Sequence, residues 1–115
     1  MESIHPEHSM ERREYVRRLL DAYLATPGTA GVVRRPDRLL AAQLHERGIL
    51  LEAAENALAL AAMRRLARPA DAAPLGTIRS LAYFLPVIEE VLQTTVSSEY
   101  FQYVRRKLQR STSAR

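Results

Sequence analysis

The chain has 115 residues, the length of one domain, and its 47% hydrophobic content supplies enough apolar side chain for a core, which excludes a disordered coil. The absence of Cys excludes disulfides and thiolate metal sites, and with no Trp and 6% aromatics the core must come mainly from Leu, Ala, Val and Ile. The net charge of +4 is uneven: residues 1–57 hold eight Arg against nine acids, and residues 58–115 hold nine basic residues against four acids.

Almost every cation is Arg, which grips phosphates and carboxylates in a bidentate fork, although an Arg and Ala excess also accompanies a GC-rich genome. No apolar run has the length of a membrane span, and the polar opening MESIHPEHSMERRE is unlike a secretory leader, so a cytoplasmic location is expected.

Residues 1–8 are expected to be disordered, residues 9–110 to form a single helical domain, and residues 111–115 to be a disordered tail. Ser9 is placed to cap a first helix over 10–25. Tyr15, Val16, Leu19, Leu20, Tyr23 and Leu24 recur there every three to four residues as one apolar face, leaving Arg12, Arg13, Arg17 and Arg18 to solvent. Thr26-Pro27-Gly28 ends it. Pro36 suits the first turn of a second helix, Asp37 suits its positive end, Leu39, Leu40 and Leu44 form its buried edge, and Gly48 closes it.

A third helix over 51–67 places Ala54, Leu58, Ala61, Ala62 and Leu66 on its apolar side. Small side chains let a neighbour approach closely, so this is the predicted central helix, with Arg64, Arg65 and Arg68 opposing its negative end. Residues 69–74 read as a breaker-rich linker. A fourth helix over 78–93 carries Ile78, Leu81, Ala82, Leu85, Ile88, Val91 and Leu92 at helical spacing, and Pro86 inside it predicts a kink or break near 82–85. Ser97 caps a fifth helix over 98–109, with Tyr100, Phe101, Val104 and Leu108 inward and Gln102, Arg105, Arg106, Gln109 and Arg110 outward. The pattern predicts an all-α fold, a compact bundle of about five helices.

Residues 39–60 read helix, Gly turn, helix, which invites a helix-turn-helix reading. Asn56 has the chemistry to read adenine, but Glu52 and Glu55 would meet phosphates and repel them, so a plain helical hairpin is the better reading. The last helix is the stronger candidate for nucleic acid. From Tyr100 to Arg115 there are five cations and no acid: Arg105, Arg106 and Lys107 are consecutive, Arg110 shares a side with Arg106, and Tyr100 and Tyr103 add stacking surface. Its plain alternative is a solvated helix end whose cations complement the dipole.

Arg79 precedes Tyr83-Phe84 and could extend the same surface, although the two rings read as core. Glu89 and Glu90 read as exposed, salt-bridged neighbours rather than a catalytic pair. His5 and His8 are interrupted by Pro6 and make a poor metal site, and His45 reads as surface. No Ser/His/Asp arrangement, glycine-rich phosphate loop or metal-spaced cluster is present, so no enzyme, metal, cofactor or small-molecule substrate is expected.

The string TIRSLAYFLPVIEEVLQTTVSSEYFQYVRRKL at residues 77–108 resembles the C-terminal helical region of bacterial helix-turn-helix and replication-initiator-like proteins of mobile elements. More remotely, it is similar to the C-terminal domain of the DnaD primosome family. The resemblance implies a helical module ending in a basic, aromatic-bearing helix that engages DNA. By it, Tyr83 and Ile88 are structural, while Tyr100, Tyr103, Arg105 and Arg106 lie at or near DNA. It covers about the last third of the chain, which has neither the room nor the β-rich wing for the winged helix such proteins usually carry, and so would correspond to the accessory module.

The resulting expectation is a DNA-associated module of replication or mobile-element maintenance that binds mainly through phosphates, using Arg105, Arg106, Lys107, Arg110, Tyr103, Tyr100 and Arg79. The alternative is a subunit for protein interaction or oligomerisation, with another protein or a second copy packed on the third or fourth helix and no membrane partner.

Overall fold

Five α-helices and one 3-10 turn make up the regular structure among the residues that the computed structural model describes, 10–94 and 98–113. They are α1 (Arg12–Ala25), α2 (Arg35–Glu46), α3 (Leu51–Leu66), the 3-10 turn Leu81–Phe84, α4 (Leu85–Gln93) and α5 (Ser98–Ser113). The fold is an all-α bundle.

α1 starts two residues later than expected, with Glu11 rather than Ser9 before its first turn; residues 1–8 and Ser9 itself lie outside the described residues, as does Ser97. Its end falls at the expected breaker. Thr26 turns extended, its hydroxyl donates to the Ala22 carbonyl at 2.7 Å, and Gly28 adopts a left-handed φ of 94°. α2 opens at Arg35 with Pro36 in its first turn and closes at Gly48, whose φ is 78°.

Pro86 does not sit mid-helix. The expected helix over 78–93 is shorter, because Ile78 lies in extended backbone, where the Ile78 N–H donates to the Gly28 carbonyl at 2.8 Å and the Ala30 N–H donates to the Ile78 carbonyl at 2.9 Å. That isolated bridge ties the loop after α1 to the loop before α4. The chain then makes the 3-10 turn, and Pro86 falls in the first turn of α4, where its missing N–H has no helical partner to lose.

Asp37 is the one buried acid among the described residues, 2% exposed, and it joins two distant segments. One carboxylate oxygen accepts the Arg34 N–H at the start of α2, and the other accepts the Leu81 N–H of the 3-10 turn, both at 2.9 Å. Two orphan backbone donors are thereby satisfied by one side chain.

The main core runs through Tyr15, Leu19 and Tyr23 of α1, Leu44 of α2, Ala54, Leu58 and Ala61 of α3, and Ile78, Leu81, Phe84 and Ile88. α3 is central as predicted: it packs against α1, α4 and α5. Several apolar assignments are corrected at the edges. Leu39 is 50% exposed, Leu66 45% and Tyr83 44%. His45 is half-buried rather than on the surface: its Nε2–H donates to the Met10 carbonyl at 2.9 Å, and its ring meets the Tyr15 ring edge-on at 5.1 Å. Glu89 and Glu90 do pair with arginines, Arg47 at 2.9 Å and Arg64 at 2.6 Å.

Candidate nucleic-acid interface

α5 docks on α3 through a short seam. Val104 and Leu108, one turn apart, are buried against Ala59, Ala62 and the partly buried Met63. At roughly 100° per residue, that seam puts Arg106, Arg110 and Tyr103 on the opposite side, with Lys107 flanking them. All four are exposed, and the Lys107 ammonium lies 5.8 Å from the centre of the Tyr103 ring. Among the described residues no carboxylate pairs with Arg106, Lys107 or Arg110. α5 continues to Ser113, so the expected tail from 111 is helical over its first three residues.

Arg105 is a correction. The sequence reading put it outward with Arg106, but it turns toward α3, half-buried, with Nη2 3.6 Å from Oε1 of Glu55. Neighbours on a helix differ by about a quarter turn, and the seam passes close enough to Arg105 to draw it in. Burial pushes the Glu55 carboxyl above its ordinary range, although Arg105 and Arg18 hold it down. Tyr100 is also corrected: it was expected inward and is 47% exposed, within electrostatic reach of Arg64. The Phe101 side chain lies outside the described residues.

Arg79 is exposed on the extended segment before the 3-10 turn, and among the described residues nothing bonds it to α5. Asn56 is 7% exposed, so it has no access to a base edge, and the α2–α3 hairpin is part of the bundle. No helix among the described residues is long and apolar enough to cross a membrane.

No family model, curated protein or solved structure is similar to this chain at the level of a match.

Two further arginines have roles that the sequence did not signal. Arg65 donates to the Tyr83 hydroxyl at 3.1 Å and to the Gly76 carbonyl at 2.8 Å, lies over the Tyr83 ring at 5.6 Å, and backs onto Gly28. Arg68 donates to the Ala73 carbonyl at 2.6 Å. They strap the 69–76 loop to the end of α3, beyond the dipole role the sequence suggested. On the far side, Arg12, Arg13 and Arg38 surround a groove between α1 and α2, but Glu11 lines it too and dilutes its positive charge.

Proposed function

We propose that this chain is a non-enzymatic, DNA-associated module. α5 lays Arg106, Lys107 and Arg110 along the phosphate backbone, and Tyr103 adds a stacking surface beside them. The observation that carries the reading is the outer face of α5, where these cations are exposed without a carboxylate partner among the described residues. A role in replication or mobile-element maintenance follows from the resemblance of residues 77–108. Arg105 is left out of the interface, because it turns inward toward Glu55 and away from the exposed face.

Three phosphate contacts imply weak, sequence-tolerant binding whose logarithm falls with log salt at a slope of about −3, or about fortyfold between 50 and 200 mM. Fluorescence anisotropy with a labelled duplex measures this. Replacing Arg106, Lys107 and Arg110 together with Gln is expected to flatten the slope, while Arg105→Gln leaves it unchanged. Binding that ignores salt, or no binding at low salt, overturns the proposal.

A second reading, a surface for another protein or a second copy, rests on α4, where the apolar Leu92 is 44% exposed. α3 is a poorer candidate, enclosed by α1, α4 and α5. A sedimentation coefficient that rises with concentration favours self-association.

A further inference from the structure

The Arg105–Glu55 pair lines a cavity of about 320 Å³ between α1, α3 and α5. Its other walls carry the alkyl groups of Ala22, Ala25, Leu58, Ala59 and Leu108, together with the polar side chains of Thr26 and Gln109. The alanines leave the space. The volume lies at the lower end of the range that small-molecule sites occupy, about 300–1,000 Å³.

The pair differs from the other inter-helix ion pairs of the molecule. Arg64–Glu90 and Arg47–Glu89 are more exposed and close to 2.6 and 2.9 Å. Arg105–Glu55 is turned inward and stays open at 3.6 Å, too long for a hydrogen bond. The Arg105 Nη2 is shut from solvent without a hydrogen-bond partner, and Glu55 accepts no hydrogen bond among the described residues. A half-buried charged pair carries a desolvation cost that Coulomb attraction offsets best when its donors and acceptors are also satisfied. Burial raises the Glu55 carboxyl, in keeping with that unmet demand.

We infer that this cavity binds a small zwitterion with an apolar body, an apolar α-amino acid such as leucine, with its carboxylate on Arg105 and its ammonium on Glu55. The charges fix the class. A simple carboxylate would satisfy Arg105 and place a second negative charge beside Glu55. A simple amine would do the reverse beside Arg105. An α-amino acid carries both groups on one carbon, matching the side-by-side guanidinium and carboxylate, and adds no net charge to the site. Its side chain replaces water against Ala22, Leu58 and Leu108. Bound between α1, α3 and α5, it would also fasten α5 to the bundle.

Methyl-detected NMR on the full chain tests this with leucine as the probe. The expected result is saturable shifts at the Ala22, Ala59, Leu58 and Leu108 methyls. Affinity for isocaproate, which lacks the ammonium, and for isoamylamine, which lacks the carboxylate, should each be at least about tenfold weaker. Glu55→Gln should weaken leucine binding by a similar factor, and the two analogues keep the test decisive if that variant does not fold. No saturable shift with leucine, or isocaproate binding as tightly as leucine, overturns the inference.

Discussion

The two halves of the α3 surface hold their neighbours very differently. Toward α1 and α4, α3 joins a continuous core that also includes large side chains of α2 and the 3-10 turn, Leu19, Tyr23, Leu44, Leu81, Phe84 and Ile88, and Asp37 ties α2 to that turn. Toward α5 it offers Ala59 and Ala62, and among the described residues Val104 and Leu108 are the buried side chains facing them, beside one open ion pair. The first arrangement is a large, cross-linked core. The second is a strip of small contacts that fixes which side of α5 faces in and leaves Tyr103, Arg106, Lys107 and Arg110 to solvent. On the proposed reading, that exposed face is the one that meets DNA.

The comparison breaks first in the main core. Phe84→Ala is expected to cost about 3–5 kcal/mol and to lower the thermal midpoint of the whole domain, because its ring is fully buried against Tyr23. Asp37→Ala leaves the Arg34 and Leu81 N–H groups without their acceptor and should cost about 3 kcal/mol in denaturant unfolding, with Asp37→Asn costing less. On the other side, Leu108→Ala should cost about 2 kcal/mol, and the loss should be local. Amide exchange is then expected to speed up along α5 while α1 and α3 keep their protection; uniform loss would show that the seam belongs to the main core.

Alkaline titration sharpens the contrast further. Burial, assisted by the negative Glu55, pushes the Tyr15 phenol from 10.0 up to about 12. Across that window the unfolded chain releases a proton that the folded chain keeps, so stability falls as pH rises through it. Tyr15→Phe should remove that part of the slope, read as the pH dependence of unfolding free energy above pH 10. The smallest effect is expected from Arg47→Ala, which opens the solvent-exposed pair with Glu89 and should leave the thermal midpoint unchanged within measurement.

Much of this fold was legible along the chain. The three-to-four spacing of Tyr15, Leu19 and Tyr23, the Thr26-Pro27-Gly28 stop and the Gly48 cap all express local preferences, and the helices begin and end close to them. The segment from Ile78 was misread because apolar spacing there is compatible with helix, whereas pairing with Gly28 and Ala30, fifty residues earlier, holds it extended. In the candidate interface, Arg106, Lys107 and Arg110 stand where the helical period puts them, while Arg105, one residue away, does not. The cavity beside it left no trace in the sequence, since Ala22, Ala25 and Ala59 become neighbours of Arg105 only when three helices meet.

The sequence alone determined the helical class, the order of the helices, the place of the central one and the positive charge of the last. Those properties depend on side-chain entropy, backbone freedom and periodicity over a few residues, which the chain carries locally. Only the tertiary structure decided which guanidinium groups reach solvent and which turn to Glu55, Gly76 or Ala73. A helix period names the faces, but the seam a neighbour offers selects which face is buried, and that neighbour lies far along the chain.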